Sequence, residues 1–205
     1  MKLFYFPGAC SIGIHALLEE IGKPYELLKV DFLTGAQFKH EYTDINPKAK
    51  VPALLRDDGT LVTEWPAIAW YLAKSNPQLG MIPADLEGET RLLEVLDYMI
   101  ATVHMRGFTR IFRSGAFTPT KADEPAVQQT GRDIIADGFK LLSHTLGEKT
   151  YLLGEYSIGD LALFMLEFWA GARLNLPMPE NLKAHYERIC ARPAVQRTLA
   201  AEGFA

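Results

Sequence analysis

Cysteine is scarce in this chain of 205 residues: there are two, Cys10 and Cys190. Two thiols so far apart make no disulfide framework and point to a reducing compartment. No apolar run approaches the ~20 residues that a membrane-spanning helix needs. Met1 to Phe6 carry neither a basic opening nor a long apolar stretch, so no signal peptide is expected. Runs of Lys and Arg are missing and the formal net charge is −4, which argues against a phosphate-backbone partner. No group of His, Cys and carboxylate residues has metal-ligand spacing, so no metal is expected. Repeats and low-complexity segments are absent too. These absences predict a cytoplasmic protein that binds neither membrane nor nucleic acid. What is abundant is apolar side chain, at 48%. That suffices for a sizeable core in one large or two small domains.

The order of patterns divides the chain. Lys2 to Phe6 reads as a strand ended by Pro7-Gly8-Ala9. Cys10-Ser11 opens a helix with Ser11 as its N-cap, and Ile14, Leu17, Leu18 and Ile21 give that helix one apolar face. Gly22 suits its end. Tyr25 to Val30 is a second strand, and a helix between two strands reads as a parallel βαβ unit. A loop with a short weak helix covers Leu33 to Ile45. Asn76 to Pro83 holds Pro77, Gly80 and Pro83 and reads as a linker. Everything beyond it is expected to be helical: Leu86 to Arg113 with a bend at Gly107, Pro125 to Leu146, the apolar run Leu161 to Trp169, and two helices flanking Arg192-Pro193. Ser157-Ile158-Gly159-Asp160 is a capping-box pattern before that apolar run, and both polar residues are assigned to folding rather than to a substrate.

The stretch Ile45 to Ile68 organises the first part. Pro52 would remove a ladder hydrogen bond inside a strand, so it starts the strand Ala53 to Leu55 or sits in a turn. Asp57-Asp58-Gly59 makes a hairpin turn, since glycine accepts positive φ. Thr60 to Thr63 follows as a strand, closed by Glu64. Pro66 fits the first helical position, which would put Trp65 at the N-cap. Indole has a donor and no acceptor, so Trp65 cannot perform the side-chain cap that serine or aspartate would.

The resulting order β-α-β-α-β-β-α matches a thioredoxin-like fold. With the helical remainder it resembles the cytosolic glutathione transferases over nearly the whole chain, including Arg192-Pro193-Ala194-Val195. The resemblance implies an α+β thioredoxin-like domain at 1–76, a linker at 77–85 and an all-helical domain at 86–205. It implies a cis Val51-Pro52 bond and pairing of the Val51 backbone with the cysteinyl part of glutathione. Glu64 and Trp65 fall where the family holds the γ-glutamyl end. Trp65 is the departure, because the family often has serine there and sometimes glycine.

Phe6-Pro7-Gly8-Ala9-Cys10-Ser11 resembles the opening signature of the bacterial beta class. On position alone, a helix start favours a thiolate, whether the protein's or a ligand's, while a small buried cysteine beside a serine cap is the plainer reading. The resemblance implies that Cys10 contacts the glutathione sulfur, with Tyr5 and Ser11 as rival candidates. On an α-helix Asp97, Ala101, His104 and Phe108 share one stripe, at offsets of four, seven and eleven. A lone histidine is usually satisfied by core or solvent. The resemblance nevertheless implies that His104 lies beside the sulfur and that Asp97 reaches glutathione across a dimer interface. His15, His40, His144 and His185 have no such support, and Cys190 reads as packing.

The resemblance therefore implies a homodimeric glutathione transferase of detoxifying type. Cys10, Ser11 and His104 would favour the thiolate of the co-substrate. Phe108, Phe112 and Trp169 offer a shelf for a small hydrophobic electrophile. Two alternatives stand: a glutathione-dependent thiol–disulfide reductase using Cys10 alone, and a non-catalytic glutathione- or ligand-binding protein.

Overall fold

The structure is a computed structural model and describes residues 1–204. It separates into two compact units. The first is Met1–Met81 joined by the described residues from Ile189 onward, and the second is Ile82–Arg188. The sequence reading placed 86–205 in one helical domain. The difference lies in the last helix, whose polar residues bond to the first unit.

In the first unit the strands β1 (Lys2–Tyr5), β2 (Glu26–Lys29), β3 (Ala53–Leu55) and β4 (Leu61–Thr63) form one sheet, ordered β2-β1-β3-β4. β1 and β2 are parallel, as the helix between them requires, and the other two pairings are antiparallel. Side chains alternate across this sheet. Phe4 and Ala53, paired across β1 and β3, join Val30, Tyr42 and Val51 in one core cluster. Leu3 and Leu54, also paired, point to the opposite face and are fully buried. Helices α1 (Ser11–Ile21), α3 (Trp65–Lys74) and α9 (Pro193–Glu202) belong to this unit, and α1 packs on both of the others. Contact with two helices explains why α1 is buried all round from Ser11 to Leu18 and not along one stripe. Gly22 ends it at φ 69°, its amide returning to the Leu18 carbonyl. The weak helix between β2 and β3 is reduced to two 3₁₀ turns and the short α2 (His40–Thr43). Gly59 closes the β3–β4 hairpin at φ 82°.

Helix α9 ties back to α1 by charge. Arg192 forms an ion pair with Glu20, and Arg197 pairs with Glu19. Glu202 is buried; one carboxylate oxygen lies 2.7 Å from His15 Nδ1 and the other accepts from the Gly8 amide at 2.7 Å. These bonds account for the tail's place in the first unit.

The second unit holds α4 (Leu86–Asp97), α5 (Thr109–Phe112), α6 (Glu124–Leu146), α7 (Ile158–Phe168) and the start of α8 (Glu180–Cys190). The expected single helix from Leu86 is not α-helical throughout. Between α4 and α5 the segment Tyr98–Phe108 is a π-helix, and a second π turn, Trp169–Arg173, follows α7. Gly107 serves close approach: a Cβ there would lie 2.8 Å from Ile135 of α6. Gly131 of α6 mirrors it, since its Cβ would come within 2.8 Å of the Gly107 carbonyl. Helix α7 is buried along its whole length. Its capping box forms: the Ser157 amide donates to Asp160 at 2.8 Å, and the Ser157 hydroxyl accepts from the helix's first amides. Asp160 also accepts from the Leu152 amide at 2.7 Å and lies 3.1 Å from His185 Nε2, while His185 Nδ1 lies 2.9 Å from Glu167. No helix among the described residues is long and apolar enough to cross a membrane.

Candidate active site

The turn Phe6–Cys10 delivers the chain from β1 to α1. Gly8 takes φ 67° and the Ala9 amide returns to the Phe6 carbonyl at 3.0 Å. Ser11 was expected to cap α1. It is instead the first helical residue, fully buried, with its hydroxyl 3.3 Å from both the Phe6 amide and the Phe6 carbonyl. It fastens the turn and leaves the cap position to Cys10. Cys10 makes no side-chain cap bond. Its thiol donates to the Val51 carbonyl at 3.1 Å. Burial pushes the Cys10 thiol up to about 12, against the opposing help of its own amide, the Ser11 amide and Lys50. A helix start alone was expected to favour a thiolate at Cys10. Desolvation outweighs that effect and keeps Cys10 a neutral donor.

The Val51–Pro52 bond is cis, as the resemblance implies. The loop before it is held from behind. The Lys50 carbonyl accepts from Tyr42 Oη at 2.6 Å and from Asn46 Nδ2 at 2.8 Å. Asn46 is buried and also accepts from the Lys48 amide at 3.1 Å. Tyr42 and Asn46 escaped the sequence reading. Their only signal is an asparagine four residues after a tyrosine ahead of the Val-Pro pair, a pattern with many ordinary uses.

At the other end of β4 the structure moves the cap by one residue. Glu64, not Trp65, is the N-cap of α3, so Trp65 is the first helical residue and Pro66 the second. Pro66 tolerates this shift because the second helical amide is also one of the unpaired ones. Glu64 sits at φ 71°, ψ 127°, makes no side-chain cap bond, and is exposed with its carboxylate 2.6 Å from Lys48 Nζ. Trp65 is neither a surface aromatic nor a lid. It is buried, and its Nε1–H donates to the Cys10 carbonyl at 3.1 Å. The first unit thus gathers Cys10, Val51, Pro52 and Trp65 into one bonded set. Tyr5 turns elsewhere: its ring meets His15 edge-on at 6.0 Å, and burial followed by the Glu202 charge raises its hydroxyl pKa, so the phenol stays neutral.

His104 and Asp97 belong to the second unit. The predicted stripe depended on α-helical spacing, which the π-helix changes by widening each turn. Asp97, Ala101 and Met105 are exposed at intervals of four, and Met99, Val103 and Gly107 are buried at the same interval. His104 is half-buried at the border of the two rows. Its ring stands edge-on to Trp169 at 4.9 Å, and Trp169 also meets Phe108 at 5.3 Å and Phe112 at 5.5 Å. Of the expected shelf, Phe108 and Trp169 are buried within the unit, while Phe112 is 41% exposed and offers a ring to solvent. Cys190 is half-buried in α8. No three His, Cys, Asp or Glu side chains gather as metal donors among the described residues.

A thioredoxin-like sheet with a cis proline set against a thiol at its first helix start, in one chain with a helical unit, defines a class of thiol-binding proteins. Comparison with known proteins is specific about which. Residues 8–75 match the family model described as the N-terminal domain of glutathione S-transferase. The chain is 38% identical to glutathione S-transferase GstA of Escherichia coli O157:H7, over the full length of both. It is 31% identical to the disulfide-bond oxidoreductase YfcG of Escherichia coli K12, covering 97% of this chain and 94% of that one. In structure it resembles the bacterial beta class glutathione S-transferase of Sphingomonas chungbukensis, with a TM-score of 0.85 and 33% identity across all of both chains. The chain belongs to the glutathione S-transferase family.

Proposed function

We propose that this protein joins the glutathione sulfur to small hydrophobic electrophiles, acting as a cytoplasmic homodimer in detoxification. The observation that carries the reading is the Cys10 thiol seated on the Val51 carbonyl beside cis Pro52. Glutathione would pair its cysteinyl part with the Val51 backbone, as an added strand pairs with a sheet edge. Its γ-glutamyl carboxylate would lie at the start of α3, where Glu64 and Trp65 supply amides that no side chain caps. The sulfur then falls near Cys10. Once glutathione pairs with Val51, the neutral Cys10 thiol would turn its single proton from the Val51 carbonyl to the glutathione thiolate and lower its cost of ionisation, since charge-assisted bonds are the stronger kind. The Ser11 amide at the start of α1 adds to this, while its buried hydroxyl only secures the turn. The glutathione thiol gives its proton to solvent as the thiolate forms; the thiolate sulfur then bonds to the electrophilic carbon, and the displaced group departs with the electron pair of its former bond. The family resemblance implies an assisting role at the sulfur for His104 and makes Phe112 a candidate to meet the electrophile. Asp97 is exposed and would reach the partner's glutathione in the dimer.

A second reading, disulfide reduction through Cys10, draws on the kinship with the disulfide-bond oxidoreductase. It requires a Cys10 thiolate, and burial opposes that species here. The test runs both reactions on one preparation. Conjugation of a model aryl halide without turnover of a glutathione mixed disulfide supports the transferase, and the reverse result replaces it with the reductase. Light scattering checks the assembly: a monomer at working concentration removes the role given to Asp97.

A further inference from the structure

Trp65 cannot cap α3, yet it makes a bond that no capping residue could. Its Nε1–H donates at 3.1 Å to the carbonyl of Cys10, 55 residues earlier, from a ring only 3% exposed. Cys10 stands at φ −59°, ψ −19°, inside the helical region and not in the extended region usual for an N-cap, and makes no cap bond of its own. Local helix-start chemistry therefore does not hold it. Two distant bonds do: Trp65 on its carbonyl and Val51 on its thiol.

We propose that Trp65 is a positioning residue for Cys10, its indole N–H fixing the Cys10 main chain so that, until glutathione arrives, the thiol rests on the Val51 carbonyl. The assignment rests on the proposed function in placing Cys10 at the sulfur. An N-cap carbonyl already accepts one helical bond, and its second lone pair is free to take an indole donor. A serine hydroxyl, one bond beyond Cβ, would serve the start of α3. The indole N–H stands several bonds further out and reaches the start of α1. The bond is thus a strut between the starts of α3 and α1.

The test uses the full chain with Cys190→Ser, so that one thiol reports. Alkylation of Cys10 by iodoacetamide is followed against pH without glutathione. Trp65→Phe releases the Cys10 carbonyl and lets the thiol leave Val51 for water. Its reactivity profile should move down by about one pH unit, giving about tenfold faster alkylation near pH 8. A benzothienylalanine at position 65 keeps the ring shape and replaces N–H by sulfur, so it separates the lost bond from lost packing and should reproduce the shift. It also decides the matter if the Phe variant does not fold. An unchanged profile with the isostere overturns the positioning role, because a purely structural ring would be satisfied by it. Calorimetry with glutathione on the same proteins tests the underlying reading separately. Wild type that fails to bind removes Cys10 from a glutathione site, while alkylation still judges the Trp65–Cys10 strut.

Discussion

The starts of α1 and α7 are both helix N-termini, and they are finished in opposite ways. At α7, Ser157 and Asp160 take up the free amides with their own oxygens, and Asp160 is further engaged by the Leu152 amide and His185. At α1, Cys10 makes no cap bond and points its thiol at Val51. The start of α3 resembles α1, with Glu64 making no side-chain cap bond and held at φ 71°. A helix start that satisfies itself stabilises the fold and has nothing left to offer an anion. One left uncapped forgoes about 1 kcal/mol of capping energy and keeps amides open for a ligand. The two kinds lie in different units.

The largest expected effect is at the closed start. Asp160→Ala would strand His185 and two amides in a fully buried place, at a cost of about 3–5 kcal/mol. Urea denaturation should show this loss, while the fraction that stays folded binds glutathione as before. A loss of glutathione affinity in that fraction would break the comparison. Next is the open start. Cys10→Ala removes one donor to the proposed thiolate, a bond of about 1.5–3 kcal/mol, and should lower conjugation about ten- to a hundredfold at saturating glutathione. Its melting temperature should stay within a few degrees of wild type. Equal kinetics would pass the role to Tyr5 or to the Ser11 amide.

The third prediction concerns pH. Burial works against charge on His185, but its bonds to Asp160 and Glu167 outweigh it and hold the imidazolium up to about 9. Burial likewise pushes Glu167 up to about 7, against the pull of His185. For both groups the folded state holds its proton more tightly than the unfolded chain. The His185 contribution is therefore complete below about pH 6.5 and lost as pH rises through about 9. Deprotonation of Glu167 weakens the fold in the same direction at lower pH. Calorimetric melting should fall by several degrees between pH 6.5 and 9, and His185→Asn should flatten that slope. The smallest effect is at Glu64. Its backbone angle suits glycine, so Glu64→Gly should raise stability by about 1 kcal/mol or leave it level. Glutathione affinity should drop in the same variant, the sign of strain kept for a ligand. A variant that loses stability without losing affinity would show α3 to be an ordinary helix start.

Much of the fold was legible because it depends on local chemistry. The strand–helix–strand opening, the Asp57-Asp58-Gly59 hairpin, the Ser157–Asp160 box and the cis proline with its strand all follow from nearby residues or from a resemblance carried by them. The misplaced details share a cause. Ser11 and Trp65 were set at caps by residue preference, whereas packing assigned both to the first helical position. The stripe through His104 assumed 3.6 residues per turn, and close packing at Gly107 and Gly131 accompanies a wider π-helical turn there.

The sequence alone determined which segments are strands and which are helical, that Gly22 and Gly59 turn the chain, and that Ser157 and Asp160 close the start of α7. Each of these needs only neighbours within about one turn or one hairpin. The tertiary structure decided the rest. It set Cys10 against Val51, 41 residues apart, and Trp65 against Cys10, and it brought Glu202 back to His15 and Gly8 across most of the chain. It also decided that Cys10 is a protonated donor, since desolvation depends on everything packed around the sulfur and not on the residues beside it.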